Sequence, residues 1–271
     1  MPALYIVATP IGNLEDISLR ALRTLREVKL IAAEDTRRTR QLLVSYDIKT
    51  PVTSYHEHNK WTKLGYILDC LEGGDVALVC NAGMPGISDP GYELIVAASR
   101  QGIPVVPIPG ASVVITALVV SGLPTEKFVY IGYLPHKAGG RQRLLESIAD
   151  ENGTIVVLES PHRLRAALSD ILLVLGDRKV AVCRELTKIH EEVFRGTISQ
   201  AIEYFTQPRG EFTLVIEGKA GKEKPQLTEA IERQLHSLRL SGITAKEAIA
   251  RVAGETGLSK RELYRAWLKL L

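Results

Sequence analysis

The stretch VALVCNAGMPGISDPG, residues 76–91, joins a short apolar run to a loop that holds three glycines and two prolines. The apolar run predicts a buried strand over 75–80, and the residues that follow the loop predict a helix over 91–101. Glycine permits unusual backbone angles and proline restricts the chain, so such a loop lets backbone approach a ligand closely. We therefore expect a ligand loop at the carboxyl edge of a sheet.

Two more junctions of this kind follow predicted strands in the first part of the chain. The strand over 4–9 runs into the polar segment 9–16, and the strand over 104–108 runs into 107–112. An ordinary strand-to-helix connection would explain one such loop, but three of them indicate one crevice, because carboxyl ends of parallel strands meet at one edge. The alternation of short strands and helices predicts an α/β domain with a mostly parallel sheet over 1–121.

A second group of strands begins after a break in the pattern at Gly122-Leu123-Pro124. It predicts another α/β domain over 122–219. We expect its sheet to be mixed, with the last two strands, 192–195 and 212–216, pairing antiparallel. The polar segment 218–225 is typical of a linker.

The last region, 225–271, is predicted to be helical throughout. Two helical segments, 244–253 and 260–268, flank the turn Gly257-Leu258-Ser259, which is the helix-turn-helix plan. Residues 222–271 hold ten Lys or Arg and six Asp or Glu, a net +4 against +3 for the whole chain. This asymmetry permits a polyanionic partner, although a small packing appendage explains the pattern equally well.

Composition narrows the class of protein. The 271 residues are 45% hydrophobic, enough for a sizeable core, and no apolar run approaches the roughly 20 residues of a membrane helix. We expect a cytoplasmic protein without membrane association. Cys70, Cys80 and Cys183 lie far apart in or beside apolar segments, which favours structural burial. His56-Glu57-His58 has no further ligand cluster nearby, so we expect no metal.

A charged cluster follows the second predicted strand. Glu34 and Asp35 end the strand, and Arg37, Arg38 and Arg40 begin the next helix. Because a helix N-terminus disfavours cations, the arginines indicate either ion pairing with the carboxylates or capture of an anionic substrate, and we favour capture. The chain has no nucleophile elbow, P-loop or dinucleotide-binding glycine motif, which disfavours hydrolase, NTPase and NAD-enzyme functions.

Six sequence blocks occur in order over about residues 1–219: Thr9-Pro10-Ile11-Gly12-Asn13-Leu14, Ala33-Glu34-Asp35-Thr36-Arg37, Ser54-Tyr55-His56-Glu57-His58-Asn59, Ala82-Gly83-Met84-Pro85 with Ile87-Ser88-Asp89-Pro90-Gly91, Glu159-Ser160-Pro161-His162-Arg163, and Arg184-Glu185-Leu186-Thr187-Lys188. Together they resemble the ribosomal RNA small subunit methyltransferase I family. The resemblance implies two α/β domains of the tetrapyrrole methylase type with the cofactor cleft between them. To this fold class we add the small C-terminal helical region, which the residue pattern predicts. The resemblance further implies S-adenosyl-L-methionine (SAM) as cofactor and 2′-O-methylation of a cytidine ribose in the decoding centre of 16S ribosomal RNA (rRNA). The implied partners are 16S rRNA or the small ribosomal subunit and a second copy of the chain.

The resemblance also implies a set of cofactor contacts from both domains: Pro10, Asn81, Gly83, Met84, Ile87, Ser112, Val113, Leu158, Glu185 and Thr213. Asn81 departs from the family, which usually has Asp before the Ala-Gly of the central loop. An amide keeps the shape and the hydrogen bonding of the carboxylate and loses its charge.

Candidate bases for the ribose hydroxyl are Asp35, Glu34 and Glu185, in falling order. The substrate-binding set is Arg37, Arg38, His56, Arg163 and Lys188, in which the arginines would hold flanking phosphates. Two alternatives stay open. The methyl acceptor could be a tetrapyrrole or a protein side chain, as in other branches of the superfamily, or the chain could be a non-catalytic nucleic-acid-binding protein.

Overall fold

A computed structural model of the chain describes residues 2–219 and 227–269. The chain divides into two compact units, Met1–Gly218 and Lys219–Leu271. Most of the predicted linker, 220–226, lies outside the described residues.

The first sheet of the larger unit is entirely parallel. Its five strands have the spatial order β3-β2-β4-β1-β5. They are β1 (Leu4–Val7), β2 (Leu30–Ala33), β3 (Val52–Ser54), β4 (Val76–Val79) and β5 (Val105–Ile108). The predicted parallel sheet is confirmed, but the edge strand β3 was not predicted from the sequence, since it has only three residues and two of them carry hydroxyls.

Helices cover both faces of this sheet. They are α1 (Leu19–Glu27), α2 (Thr36–Ser45), α3 (Lys60–Glu72) and α4 (Tyr92–Arg100). Successive side chains of a strand point to opposite faces, so Val7 and Ala77 pack with α1 and α2, while Ile6 and Leu78 pack with α3 and α4. Burial on both faces explains why these strands are continuous apolar runs.

The second sheet has the order β6-β7-β10-β8-β9. Its strands are β6 (Phe128–Tyr133), β7 (Thr154–Glu159), β8 (Lys179–Arg184), β9 (Glu192–Thr197) and β10 (Phe212–Ile216). Strands β6 and β7 are parallel and the other pairs are antiparallel, which confirms a mixed sheet. The predicted pairing of the last two strands is wrong, because β9 and β10 lie on opposite sides of β8.

One helix follows the first sheet in the chain but packs on the second. Helix α5 (Val113–Ser121) follows β5, yet its buried residues Ala117 and Leu118 pack against Val156 and Val215 of the second sheet. The opposite face of that sheet is covered by α6 (Ala138–Ser147), α7 (Leu164–Leu175) and α8 (Ile198–Tyr204). Division of this unit into domains 1–121 and 122–219 remains a prediction.

The smaller unit contains α9 (Glu229–Leu240), α10 (Ala245–Thr256) and α11 (Lys260–Lys269). Thr244 caps α10, and Gly257 ends it in the left-handed conformation with a φ of 73°. Leu235, Val252 and Leu263 supply a core from all three helices. Within the part of the chain that the structure describes, no helix is both long and apolar enough to cross a membrane.

Candidate functional site

Two adjoining cavities lie between the loops of the first sheet and the strand ends of the second. The first, which we name the central cavity, has a volume of about 410 Å³, and the second, the adjoining cavity, about 400 Å³. They share Ile11, Arg38, Asn81, Ala82 and Glu211, so they are parts of one cleft.

Most of the cofactor-binding residues predicted from the sequence line the central cavity. They are Asn81, Gly83, Met84, Ile87, Ser112, Val113, Leu158 and Thr213. Pro10 lines the adjoining cavity, and Glu185 lines neither. The three loops expected to share a crevice do so, because Ile11, Gly83 and Ser112 each come from a different one.

Backbone hydrogen bonds hold the first loop against the central loop. Thr9 and Gly83 exchange both N–H···O bonds, at 2.9 and 3.0 Å, and the Thr9 hydroxyl donates to the Cys80 carbonyl at 3.1 Å. Gly83 has a φ of +79°, which a residue with a side chain rarely adopts. The glycine-rich stretch therefore allows two backbone segments to lie close together and to form a fixed part of the cavity wall.

The residues of the central cavity fit a ligand such as SAM, which carries no phosphate. Met84, Ile87 and Leu158 offer apolar contacts. The Asn81 side-chain oxygen is buried without a hydrogen-bond partner among the described residues. Such burial costs free energy, and a ligand that donates a hydrogen bond to this oxygen would reduce that cost. The cavity thus combines apolar side chains with hydrogen-bonding and charged groups that could orient a ligand.

Three carboxylates, Glu34, Asp89 and Glu211, also line the central cavity. Glu34 accepts a hydrogen bond from the Asn81 N–H at 3.1 Å. Burial raises the pKa of Asp89 to about 6, and the negative charge of Glu34 adds to the rise. Asp89 was not among the site residues predicted from the sequence, because only the fold shows that it lies near Glu34.

A third cavity of about 430 Å³, which we name the histidine pocket, opens beside these carboxylates. It is lined by Glu34, His56, Glu57, His58, Ser88, Asp89 and Pro90. Three of these residues, Glu34, Ser88 and Asp89, also line the central cavity. Over the ranges 2–219 and 227–269, no group of three His, Cys, Asp or Glu side chains is arranged to hold a metal ion.

The structure places Asp35 and Arg37 together, outside these cavities. Asp35 caps α2 by accepting from the Arg37 N–H at 2.9 Å, and the two side chains form an ion pair at 3.2 Å. The hydrogen bonds from Arg37 lower the pKa of Asp35. Asp35 is therefore a weaker base than an ordinary aspartate, whereas the neighbouring Arg38 reaches both the central and the adjoining cavity.

Glu185 is also engaged with other groups. It accepts from Lys188 at 2.9 Å and from the Glu211 N–H at 2.8 Å. Burial favours the protonated acid, but these hydrogen bonds outweigh it and lower the pKa of Glu185. Lys188 itself lines the adjoining cavity.

Arg163 lies in a buried ion pair rather than on an open surface. Its guanidinium is 2.6 Å from Glu159, and the two side chains are 17% and 0% exposed. It also donates to the Leu134 carbonyl at 3.0 Å. These contacts occupy the groups that would bind a phosphate.

Asp89→Asn is expected to raise the thermal unfolding temperature of the ligand-free protein at about pH 8. Folding raises the pKa of Asp89 from 3.8 to about 6, so the ionised carboxyl destabilises the folded state. This destabilisation is complete above about pH 6 and vanishes below about pH 4. Scanning fluorimetry across that range checks it, with Asp69→Asn on the exposed side of α3 as control. A shift that does not depend on pH would contradict the prediction.

Comparison with known proteins identifies the family to which the chain belongs. The family model "Tetrapyrrole (Corrin/Porphyrin) Methylases" matches residues 3–202. Proteins named "Ribosomal RNA small subunit methyltransferase I" are similar over nearly the whole chain. The one from Halalkalibacterium halodurans is 49% identical over 97% of this chain and 94% of its own, and the one from Synechocystis 49% over 100% and 99%. The one from Thermotoga maritima is 53% identical over 81% of this chain and 100% of its own.

Solved structures show the same fold at low sequence identity. A uroporphyrin-III-C-methyltransferase from Thermus thermophilus superposes with a TM-score of 0.57 at 20% identity, covering 79% of this chain and 94% of that one. A diphthine synthase superposes with a TM-score of 0.60 at 15% identity, covering 79% and 90%. The predicted fold class is confirmed by these matches and by the two sheets. The chain therefore belongs to the ribosomal RNA small subunit methyltransferase I family of tetrapyrrole methylases.

Proposed function

We propose that this protein transfers the methyl group of SAM to the 2′-hydroxyl of a cytidine in the decoding centre of 16S rRNA. SAM as methyl donor follows from the family. The names of the relatives support rRNA of the small subunit as the substrate. The nucleotide and the 2′-oxygen come from the sequence resemblance.

One observation carries the proposal for the site. The central cavity, which fits the donor, shares a wall of carboxylates with the histidine pocket. Methyl transfer needs an acceptor oxygen in line with the methyl carbon and the sulfur, with a proton acceptor in reach. Of the three bases predicted from the sequence, only Glu34 lies on that wall. Two adjacent cavities separated by carboxylates provide such an arrangement.

The donor site is proposed to lie wholly within the larger unit. All the residues that line the central cavity fall between Ile11 and Thr213. The Thermotoga maritima relative, matched over 100% of its own length, covers 81% of this chain, so a protein of that name is shorter. We propose that the smaller unit adds RNA contacts, since Arg261 and Arg265 are exposed on α11.

Removal of residues 219–271 is expected to leave the SAM affinity within about twofold, because no residue that lines the central cavity belongs to the removed unit, which forms its own core. Binding to small subunits is expected to weaken and to depend less steeply on salt. Calorimetry with SAM and a filter-binding salt series check the two parts. A loss of SAM binding in a folded truncated protein would contradict the first part.

The assembly is proposed to be a homodimer. Ile115 and Val119 are 48% and 69% exposed on α5, an apolar surface that a second copy could cover. Analytical ultracentrifugation tests this proposal, and a monomer at micromolar concentration would refute it.

The function is tested with small subunits purified from cells that lack the gene. Purified protein and SAM are expected to protect one cytidine linkage of 16S rRNA from alkaline hydrolysis, because a 2′-O-methyl group removes the attacking hydroxyl. SAM binding without any rRNA product would favour the alternatives, a tetrapyrrole or a protein acceptor, and would refute the proposal. The absence of SAM binding would leave only a nucleic-acid-binding role.

A further inference from the structure

We propose that the histidine pocket receives the acceptor ribose and that Asp89, with Glu34 beside it, takes the proton of the 2′-hydroxyl. This inference rests on the proposed function and names the acceptor site and base for it. Asp89 was not predicted from the sequence as a site residue.

The first argument is the position of Asp89 in the cleft. Glu34, Ser88 and Asp89 line both the central cavity and the histidine pocket, so they form the wall between them. A donor in the central cavity and an acceptor in the histidine pocket would meet at this wall. A base must lie within hydrogen-bond reach of the proton that it accepts, and this wall is where such a base is needed.

The second argument is the rigid support of Asp89. Ser88 has a φ of +62°, an uncommon conformation for a residue with a side chain, and its hydroxyl is 2.8 Å from the Tyr130 hydroxyl of β6. Pro90 and Gly91 follow, and Gly91 has a φ of +154° at the start of α4. Asp89 is therefore held between a strained residue anchored to the second sheet and a fixed turn. Such support gives a catalytic group a defined direction.

The third argument compares Asp89 with the other candidate bases. Asp35 is paired with Arg37, and Glu185 with Lys188, so each keeps its negative charge through a cation. Asp89 instead lies near the Cys80 thiol, whose pKa is raised by burial, so the thiol stays neutral. The titratable and charged groups that face Asp89 or line its cavities are Glu34, Arg38, His56, Glu57, His58, Cys80, Tyr130, Tyr133 and Glu211.

The chemical step balances with these groups. The O–H bond of the acceptor breaks and its proton passes to the Asp89 carboxylate, while a bond forms between the oxygen and the methyl carbon. The bond between that carbon and the sulfur of SAM breaks, and its electron pair neutralises the sulfonium. Asp89, with its pKa raised to about 6, is mostly ionised at neutral pH and is a stronger base than an ordinary aspartate.

Single-turnover methylation of unmodified small subunits tests the inference. Asp89→Asn is expected to slow the reaction by about 100-fold or more, because a positioned base contributes about 10²–10⁴-fold. The SAM dissociation constant, measured by calorimetry, is expected to change by less than about threefold, which shows that the variant is folded. Asp69→Asn, an exposed change on α3, is expected to react at the wild-type rate.

Glu34→Gln supplies the readout that a structural role would not change. Removing the Glu34 charge lowers the pKa of Asp89, so the ascending limb of the rate–pH profile is expected to move to lower pH. The ¹³C carboxyl signal of Asp89, assigned by its loss in Asp89→Asn, is expected to titrate near pH 6 in the ligand-free protein and lower in Glu34→Gln. This measurement needs no substrate.

The outcomes separate this inference from the proposed function. If wild-type protein methylates the subunits and Asp89→Asn reacts within about threefold of it, the function stands and the inference is overturned. An ascending limb that Glu34→Gln leaves in place also overturns the inference. If wild-type protein binds SAM but methylates no rRNA, both are overturned.

Discussion

Replacing Arg163 with alanine is expected to lower the free energy of unfolding by about 3–5 kcal/mol, the usual cost of leaving a buried charge without its partner. The Glu159 side chain is 0% exposed, and one of its carboxyl oxygens already has no hydrogen-bond partner among the described residues. Without Arg163, the other oxygen would keep only the Ser160 backbone N–H at 2.8 Å and a long contact to the Ser160 hydroxyl at 3.5 Å. Urea denaturation with a two-state fit measures the loss.

Two controls distinguish this loss from a general effect of removing an arginine. Arg37→Ala breaks an ion pair in which Arg37 is 86% exposed, so we expect a much smaller loss of stability than for Arg163→Ala. The double substitution Glu159→Leu with Arg163→Met removes both charges and is expected to cost less than Arg163→Ala alone. If Arg163→Ala instead leaves stability unchanged and weakens rRNA binding with a shallower salt dependence, the phosphate role predicted from the sequence is correct.

Gly12→Ala is expected to weaken SAM binding by about tenfold or more, which corresponds to about 1.4 kcal/mol. A Cβ at Gly12 would lie 2.5 Å from the Lys188 Cγ, 2.6 Å from the Thr187 hydroxyl oxygen and 3.0 Å from the Leu186 carbonyl oxygen. The Lys188 Cγ is near the base of its side chain and the Thr187 hydroxyl is on a short side chain, so neither moves aside as a flexible tip does, and we expect the loops to separate. The movement would displace Pro10 and Ile11, which line the adjoining and the central cavity.

Calorimetry with SAM measures this effect, and Gly65→Ala is the matched control. A Cβ at Gly65, inside α3, meets nothing within 4 Å, so we expect unchanged SAM affinity and stability equal to or above wild type by about 0.5–1 kcal/mol. Wild-type affinity in Gly12→Ala would show that the cavity does not need the close approach of these loops.

Much of the fold follows from local sequence patterns. Continuous apolar runs such as Val76–Val79 predict strands buried on both faces, and their alternation with helices predicts parallel pairing. The order of strands in the second sheet does not follow, because antiparallel neighbours such as β7 and β10 are separated by more than fifty residues whose path is set by packing. The packing of α5 on the second sheet does not follow from the sequence either. The nine residues of α5 are largely apolar, so their pattern does not indicate which sheet the helix contacts.

The sequence predicted the loop residues that form the cavity wall better than the roles of the charged side chains around it. Gly83 and Ser112 follow strand ends, so their place at the cavity could be expected. The neighbours of Asp89 depend on the tertiary fold, whereas Asp35 and Arg163 pair with residues two and four positions away in the sequence. The helix-cap pattern at Asp35, an aspartate directly before a helix, was a local signal for its structural role. Nothing near Asp89 in the sequence indicates the neighbouring Glu34, which follows strand β2.

The dual attachment of α5 has a consequence for how the larger unit responds to a ligand. The first turn of α5 borders the central cavity at Ser112 and Val113, while its buried side packs on the second sheet. A ligand bound there therefore stabilises the arrangement of both sheets within the larger unit. Heating should then melt residues 2–218 in a single cooperative transition, and a saturating ligand should postpone that transition as a whole rather than for one half.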